Sequence, residues 1–366
     1  KCVLSDNATK FVSPLNFSAI THNSVHTSLF TDADPIPHIT LATWADLLIV
    51  APVTANILAK AANGIADDLL STILVAYDKP VLFVPAMNVK MYHSAIVQEN
   101  IERLLERGHY ILQPATGKLA CGTEGEGKYP PNEEIIYGIQ TYLNYTLDLK
   151  GIKVLINAGA TVEAIDPMRF LSNRSSGKMG LAIARALALR GAEVTLLYGN
   201  LQVELPYNIQ DKVFCESADT MFRETIKRYP EMDWIICCAA VADYKPKEIN
   251  TQKLPKLSQL NLELISTPDI LFELGKLKKE NQRLIGFAAQ SDNLIRSALD
   301  KYYRKNLDLI CANDIRYAGR DEDEIIIQGK IKGYPPLKED PNINSVVMKG
   351  DKFSLAHNLI NIIKEL

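Results

Sequence analysis

The stretch Leu171-Ser-Asn-Arg-Ser-Ser-Gly-Lys-Met-Gly180 links two segments whose patterns predict different secondary structures. The apolar run at 152–157 is typical of a buried strand, and residues 181–190 are typical of a helix. A polar loop that runs into a helix N-terminus offers backbone N–H groups and the positive end of the helix dipole to an anion. The order of strand, loop and helix therefore predicts an α/β unit, with either a phosphate site or an ordinary turn at the loop.

This loop matches neither of two common nucleotide-binding motifs. Ser172 stands where a Walker A loop has its first glycine, and Met179 stands where Ser or Thr should follow the lysine. Gly159 has no second glycine two residues later, so the dinucleotide fingerprint is also missing. The residues alone leave the choice between a phosphate site and a plain turn open.

Length and composition favour two globular domains. The chain has 366 residues, of which 47% are hydrophobic, and its net charge is −3. Without a basic stripe we expect neither nucleic acid nor an anionic membrane as a partner, and no apolar run is long enough to span a bilayer. Six scattered cysteines without a Cys-x-x-Cys pair predict a reducing, cytoplasmic location.

In the first half, short apolar runs alternate with helical patterns. The predicted strands cover residues 47–51, 81–84 and 110–112, and they are apolar throughout rather than at alternate positions. Such strands indicate a parallel sheet that is covered on both faces. Ligands of these sheets bind at the carboxyl ends of the strands, where residues 54–56 and 86–88 lie.

The stretch 117–128 has a different character, because its first eleven residues hold four glycines. It predicts a mobile loop that closes over a ligand, and a plain surface loop is the alternative. Cys121 lies within it, although an unpaired cysteine is usually buried. Its thiol, with a reference pKa of about 8.5, would be largely protonated at neutral pH and able to donate a proton. His38, taken alone, is most simply a structural or surface histidine.

A second βα series begins near residue 150, so the predicted domains are 1–149 and 150–366. Both are predicted to be doubly wound, Rossmann-like α/β domains with mostly parallel sheets. Residues 245–263 predict a long lysine-rich loop. Lys301 and Lys305 are one helical turn apart and share a face, which indicates either a polyanion site or an ordinary solvated helix.

Several long motifs, in one order, together resemble a single family. In the first half they are His38-Ile-Thr-Leu-Ala-Thr-Trp-Ala-Asp46, Ala51-Pro-Val-Thr-Ala-Asn56, Pro85-Ala-Met-Asn-Val-Lys-Met91 and Ala120-Cys-Gly-Thr-Glu-Gly-Glu-Gly127. In the second half they are Asp166-Pro-Met-Arg-Phe-Leu-Ser-Asn-Arg-Ser-Ser-Gly-Lys-Met-Gly180, Ala239-Ala-Val-Ala-Asp-Tyr244 and Lys305-Asn-Leu-Asp-Leu-Ile-Cys-Ala-Asn-Asp314. Over nearly its whole length the chain resembles the bifunctional phosphopantothenoylcysteine decarboxylase / phosphopantothenate–cysteine ligases of coenzyme A biosynthesis.

For the first domain the resemblance implies a flavodoxin-like flavoprotein that decarboxylates 4′-phosphopantothenoylcysteine with FMN. His38 matches the active-site base, Asn88 the residue that fixes the substrate carboxylate, and Cys121 the proton donor of the final reduction. The implied FMN contacts are Ser5, Asn7, Thr54, Ala55, Asn56 and Ala86.

For the second domain the resemblance implies that CTP activates 4′-phosphopantothenate as an acyl-cytidylate, from which cysteine displaces CMP. A carboxylate and a triphosphate repel each other, so lysines and Mg²⁺ are expected to bring them together. Lys253 matches the residue needed to form the acyl-cytidylate, and Asn173 matches the residue that acts in the second half-reaction. The implied CTP site comprises Cys237, Cys238, Ala239, Asp243, Lys253, Pro268, Asp269, Ile270, Leu271, Phe287, Lys301 and Lys305, and the metal ligands stay unassigned.

The resemblance also carries expectations about assembly and completeness. It implies a homo-oligomer in which ligase domains form dimers and flavoprotein domains form trimers, giving a dodecamer. The family's first strand and its FMN-phosphate turn would precede Lys1, so we expect the chain to be N-terminally truncated. Two alternatives therefore stand beside the bifunctional enzyme: a chain in which only the ligase half is active, and a non-catalytic flavin-fold module that regulates a partner.

Overall fold

The computed structural model describes residues 1–30, 34–120, 122–209, 211–256, 258–290, 293–314 and 319–366. The chain divides into two compact units, Lys1–Thr146 and Leu147–Leu366, close to the boundary predicted at residue 149. Each unit has its own hydrophobic core.

The first unit combines short strands with amphipathic helices. Its strands are β1 (Cys2–Val3), β2 (Val25–His26), β3 (Leu48–Val53), β4 (Val81–Pro85), β5 (Tyr110–Ile111), β6 (Ala115–Lys118) and β7 (Glu124–Lys128). Its helices are α1 (Pro14–Thr21), α2 (Pro37–Trp44), α3 (Ala55–Asn63), α4 (Leu69–Ala76), α5 (Val89–Tyr92), α6 (Ala95–Glu106) and α7 (Asn132–Asn144), with a 3₁₀ turn at Ala8–Lys10.

The central sheet of this unit has the order β3–β4–β5, and all three strands are parallel. Every residue of β4 is buried, which explains why its sequence is apolar throughout rather than at alternate positions. The predicted parallel sheet of the first half is therefore confirmed. Thr54 begins α3 by accepting a hydrogen bond from the backbone N–H of Ile57 at 3.4 Å, so a polar residue stands where β3 ends.

The glycine-rich stretch was predicted to be a loop, but β6 and β7 pair there as an antiparallel hairpin. The hairpin is held against the turn before α5, since the Met87 N–H donates to the Gly127 carbonyl at 3.0 Å. A Cβ on Gly127 would lie 2.2 Å from the Met87 carbonyl oxygen. Gly127 thus serves close backbone packing here, which the number of glycines in the stretch does not distinguish from mobility.

The second unit is larger and holds one extended sheet. Its strands are β8 (Lys153–Ala158), β9 (Val162–Ala164), β10 (Phe170–Ser172), β11 (Glu193–Tyr198), β12 (Asp211–Phe214), β13 (Trp234–Cys237), β14 (Tyr244–Pro246), β15 (Leu264–Ser266), β16 (Arg283–Gln290), β17 (Leu309–Asp314), β18 (Glu322–Gly329) and β19 (Asn344–Asp351). Its helices are α8 (Lys178–Leu189), α9 (Ala218–Arg228), α10 (Ile270–Leu277), α11 (Leu294–Arg304) and α12 (Lys352–Lys364), with a 3₁₀ turn at Tyr229–Glu231.

The large sheet has the order β12–β11–β8–β13–β16–β17–β18–β19. The strands from β12 to β17 are parallel, and β18 and β19 add to the edge in antiparallel fashion. Helices α8 and α12 contribute to the core on one face, and α10 and α11 contribute to the core on the other. The predicted doubly wound fold with a mostly parallel sheet is confirmed.

Two short ladders were not predicted. Strands β9 and β10 form an antiparallel pair between β8 and α8, and β14 pairs with β15 at the two ends of the predicted lysine-rich loop. Each strand has only three residues, too few to show a reliable alternation in the sequence. The helix after the opening stretch begins at Lys178, and a Cβ on Gly180 would lie 2.6 Å from Ala158 Cβ, so this glycine lets α8 pack closely on β8.

Candidate active sites

A cavity of about 960 Å³ lies in the second unit, at the carboxyl ends of β8, β13, β16 and β17. Parallel strands end at one edge of a sheet, and ligands of α/β folds bind there. The cavity brings together Asn173 and almost the whole predicted nucleotide site, namely Cys237, Cys238, Ala239, Asp243, Pro268, Asp269, Ile270, Leu271, Phe287, Lys301 and Lys305.

The part of the cavity beside β13 is fixed by a buried amide. Asn157 is 4% exposed, and its Oδ1 accepts a hydrogen bond from the backbone N–H of Ala239 at 2.8 Å. This bond orients the turn that follows the two cysteines. Burial raises the pKa of both Cys237 and Cys238 to about 12, so both thiols are neutral at physiological pH. They line the cavity as small uncharged groups rather than as nucleophiles.

Helix α11 and the residue that follows it supply a cationic wall. Lys301, Arg304 and Lys305 are spaced three and four residues apart, which places them on one face. Lys305 Nζ lies 2.8 Å from Asp269 Oδ1, and the same carboxylate caps α10 by accepting the N–H of Phe272. Burial, together with the positive charge of Lys305, lowers the pKa of the half-buried Lys301. Bound phosphates would offset both effects and favour the charged amine.

A second set of charged residues in the lining comes from α8, β18 and α12. Lys178 Nζ lies 2.6 Å from Asp321 Oδ1, and Lys352 Nζ lies 3.0 Å from the buried Asp323 Oδ2. Asn173 donates from its amide to the Ala240 carbonyl at 3.1 Å, which positions the side chain over the turn after β13. The cavity is therefore polar, with cations contributed by several elements.

Lys253 is the one predicted nucleotide residue that does not line the cavity. It is exposed, in the segment between β14 and β15. Asp243 lies at the cavity and is exposed, and among the described residues its carboxylate has no hydrogen-bond partner. No described group of three or more His, Cys, Asp or Glu side chains is arranged to hold a metal ion.

In the first unit, predicted flavin contacts meet where β3 and β4 end. Thr54, Ala55 and Asn56 follow β3 directly, and Ala86 follows β4. The Ala86 N–H donates to the Val53 carbonyl at 3.1 Å, so the two strand ends are joined. Thr54 and Asn56 are exposed, which leaves a hydroxyl and an amide available at this edge.

The other predicted residues of this unit lie on separate elements. Asn88 is half-buried and begins α5, its Oδ1 accepting the Lys90 N–H at 2.9 Å. His38 is in α2, and its Nδ1 is buried with no hydrogen-bond partner in the part of the chain that the structure describes. Ser5 and Asn7 follow β1, where the Ser5 hydroxyl accepts the Ala8 N–H at 3.3 Å. Cys121 lies outside the described residues.

Sequence reasoning missed several polar groups of the second-unit cavity. Arg304 shares the helix face of Lys301 and Lys305, and that spacing was the available signal. Asn157, Asp323 and Lys352 had no comparable signal, because they are far apart in the sequence and meet only through the strand order.

Comparison with known proteins identifies the family. A model described as the DNA/pantothenate metabolism flavoprotein C-terminal domain matches residues 149–366, and a Flavoprotein model matches residues 1–144. The coenzyme A biosynthesis bifunctional protein CoaBC of Haemophilus influenzae is 42% identical over 318 residues, covering 86% of this chain and 79% of the relative. The chain belongs to the CoaBC family. The CoaBC protein of Bacillus subtilis is 43% identical over 324 residues, covering 87% of this chain and 80% of that protein.

Membership in the CoaBC family confirms the predicted family and the predicted bifunctional enzyme of coenzyme A biosynthesis. Among solved structures, the C-terminal domain of a CoaBC protein is 35% identical, covering 60% of this chain and 97% of that chain with a TM-score of 0.48. A PPC decarboxylase variant complexed with pantothenoylaminoethenethiol is 30% identical, covering 38% and 80%, with a TM-score of 0.34. No helix in the described part of the chain is long and apolar enough to cross a membrane.

Proposed function

We propose that the second unit joins cysteine to 4′-phosphopantothenate with CTP as the activating nucleotide, and that the first unit decarboxylates the product with FMN. The observation that supports the ligase assignment is the shared cavity, which gathers Asn173 and eleven of the twelve residues predicted for CTP. Those eleven come from four separate stretches of sequence, so their convergence does not follow from sequence proximity.

The chemistry of the ligase requires two anions to meet. The substrate carboxylate attacks the α-phosphorus of CTP, pyrophosphate leaves, and an acyl-cytidylate forms. Lys301, Arg304 and Lys305 would screen the triphosphate, and Lys253 would act on the attacked phosphate. The cysteine amine then attacks the acyl carbon and CMP leaves, while the Asn173 amide donates to the oxyanion that develops there.

Magnesium fits this proposal as a partner of the phosphates. Mg²⁺ in nucleotide sites is usually held by phosphate oxygens, water and one or two carboxylates rather than by a dense protein cage. The exposed carboxylate of Asp243 at the cavity is the residue we propose for this role. The metal would neutralise charge on the leaving pyrophosphate.

FMN fits the first unit at the joined ends of β3 and β4. Thr54, Asn56 and the backbone around Ala86 offer a hydroxyl, an amide and a small side chain, a combination suited to a flat polar ring. When bound, FMN would supply the redox chemistry that makes loss of CO₂ feasible. His38 would accept a proton from the substrate, the Asn88 amide would hold its carboxylate, and Cys121 would donate the final proton.

The ligase assignment is tested by pyrophosphate release from CTP in the presence of 4′-phosphopantothenate. We expect release by the wild-type chain and loss of release in Lys253→Gln, with an unchanged circular dichroism spectrum. Lys247→Gln is the matched control, because Lys247 lies in the same polar segment and, among the described residues, forms an ion pair only with the exposed Glu263 at 2.7 Å. Full release by Lys253→Gln would refute the role of Lys253.

The decarboxylase assignment is tested by the visible absorption spectrum of the purified protein and by CO₂ release from 4′-phosphopantothenoylcysteine. A flavin spectrum with turnover supports the bifunctional enzyme. Ligase activity without bound flavin would favour the alternative in which only the second unit is active. Absence of turnover with either substrate would favour the regulatory module.

We also propose the assembly and location that the family resemblance implies. Ligase dimers and flavoprotein trimers would build a dodecamer in the cytoplasm. Large apolar side chains exposed in the first unit support further assembly there, among them Phe11 at 88% and Phe30 at 83%. Light scattering of the purified chain measures the oligomer mass, and a monomer at micromolar concentration would contradict the proposal.

A further inference from the structure

The turn between β9 and β10 contains a carboxylate with an unusually full set of hydrogen bonds. The side chain of Asp166 is 0% exposed. Its Oδ1 accepts the backbone N–H groups of Met168 and Arg169, each at 2.8 Å. Its Oδ2 accepts the N–H of Leu254 and an Arg169 guanidinium N–H, each at 3.1 Å. All four donors converge on one buried side chain.

Leu254 is therefore fixed from both sides. Besides its N–H bond to Asp166, its carbonyl accepts a hydrogen bond from the Arg169 guanidinium at 3.2 Å. Four residues earlier, the N–H of Asn250 donates to the Ile165 carbonyl at 3.0 Å. The short segment 250–254, which includes Lys253, is thus attached at both ends to the turn 165–169.

The same turn leads into the cavity. Strand β10 follows Arg169 directly, and the hydroxyl of Ser172 in β10 donates to the Thr161 carbonyl at 2.7 Å. The next residue, Asn173, lines the cavity. One turn therefore connects the backbone of Lys253, which stands outside the cavity, with a residue that lies inside it.

Asp166 is well suited to hold this arrangement. Burial acts to raise its pKa, but the backbone N–H groups of Met168, Leu254 and Arg169, with the Arg169 charge, outweigh burial and lower the pKa. The carboxylate is therefore ionised at neutral pH and accepts all four bonds as a charged group, which makes each of them strong. A neutral side chain would leave at least one of the four donors without its partner.

We propose that Asp166 is a positioning residue for the first half-reaction, which fixes the backbone of Leu254 and thereby the place from which Lys253 reaches the α-phosphate of CTP. This inference rests on the proposed role of Lys253. It assigns to Asp166 no contact with substrate, so its loss should slow acyl-cytidylate formation without weakening the binding of CTP.

The decisive variant is Asp166→Asn, which is nearly isosteric. Its amide oxygen can face either Met168 and Arg169 or Leu254, and its NH₂ group then meets donors on the other side. The assay is exchange of labelled pyrophosphate into CTP with 4′-phosphopantothenate and without cysteine, which reports the first half-reaction alone. We expect the maximal exchange rate to fall roughly 10- to 100-fold, as for a misplaced reacting group, with the KM for CTP unchanged.

Two further measurements separate positioning from general damage. Hydrogen exchange should show the Leu254 amide losing protection in Asp166→Asn while amides of β8 and β13 keep theirs. Should Asp166→Asn fail to fold, Leu254→Pro removes the same N–H donor with Asp166 intact, and we expect the same loss of exchange rate. Lys247→Gln again serves as the control that changes only a surface ion pair of this segment.

The possible results are distinct. In one result, Lys253→Gln is inactive but Asp166→Asn, or Leu254→Pro where it replaces Asp166→Asn, keeps the wild-type rate. This result overturns the inference and leaves the proposed ligase intact. A raised KM for CTP with an unchanged maximal rate also overturns it, because Asp166 would then act on binding. Lys253→Gln at the wild-type rate overturns the role of Lys253 and the inference with it. A lower maximal rate, an unchanged KM and local loss of protection at Leu254 support it.

Discussion

His357 makes the stability of the second unit depend on pH between the pKa values of its folded and unfolded states. The residue lies in α12, is 1% exposed, and packs edge-on against Phe353 with ring centroids 4.5 Å apart. Burial, aided by the nearby positive charge of Arg190, lowers the pKa of His357 from 6.5 to about 4, and Asp148 and Asp351 only partly oppose this. The imidazole is therefore neutral in the folded protein at pH 6.

The sign and size of the effect follow from this difference. In the unfolded chain His357 binds a proton near pH 6.5, whereas in the folded chain it does so only near pH 4. A depressed pKa stabilises the fold above the unfolded-state value, and this stability is lost as the pH falls from 6.5 towards 4. At about 1.36 kcal/mol for each pKa unit, the full loss in the free energy of unfolding is roughly 3 kcal/mol.

Denaturant unfolding followed by tryptophan fluorescence measures this loss. The chain has two tryptophans, so a Trp44→Phe background leaves Trp234, which is 7% exposed, as the reporter of the second unit. We expect His357 to contribute a fall of roughly 3 kcal/mol in the unfolding free energy between pH 6.5 and 4, and His357→Gln to reduce the total pH dependence by about that amount. Equal pH dependence in both proteins would refute the reasoning. The pKa of Asp148, about 2, places its own contribution at lower pH.

Three other substitutions have expected outcomes that simple assays can check. Gly180→Ala should lower the unfolding free energy of the second unit by about 1–3 kcal/mol, because the new methyl group would lie 2.6 Å from Ala158 Cβ. A decrease of less than a few tenths of a kcal/mol would contradict this packing. Thr54→Ala removes the N-cap of α3 and should lower the stability of the first unit by about 1 kcal/mol in thermal unfolding, whereas Thr54→Ser should retain most of it. Lys301→Gln should raise the Kd for CTP about tenfold in calorimetry. Lys178 is paired with Asp321, so Lys178→Gln should raise this Kd less. Equal effects would contradict a distinction between paired and unpaired lysines.

The main sheets could be predicted because a long apolar run is stable in water only when it is buried. β4 is buried at all five positions, and its run of Val81 to Val84 is uniformly apolar as a two-sided strand requires. The start of the last helix also depends on a local signal, since Asp351 caps α12 by accepting the N–H of Ser354 at 2.9 Å. The ladders β9–β10 and β14–β15 could not be predicted in this way, because three-residue strands depend on tertiary contacts rather than on local pattern.

The residues of the candidate site also differ in whether local sequence reveals them. Lys301 and Lys305 were recognised because helical spacing brings them to one face. Asp166 lies within a family motif, yet nothing in the sequence indicates that its carboxylate receives the N–H of Leu254, a residue 88 positions away. Strand order determines which loops meet at the end of a sheet. That order cannot be inferred from one sequence, so the contacts between such loops could not be predicted.

Charge pairing in the second-unit cavity indicates which cations are available to the phosphates of the proposed nucleotide. Lys178, Lys305 and Lys352 each lie within 3.0 Å of an aspartate oxygen, so these three pairs hold the lysines in place while cancelling most of their net charge. Among the described residues, Lys301 and Arg304 have no carboxylate within ion-pair distance. Arg174 also lines the cavity and has no carboxylate within ion-pair distance among the described residues, so the uncompensated positive charge comes from α11 and from Arg174. A triphosphate bound there would also favour the charged form of Lys301, which burial disfavours. The paired lysines shape the cavity, and we expect the unpaired cations on α11, with Arg174, to supply most of its attraction for the proposed nucleotide.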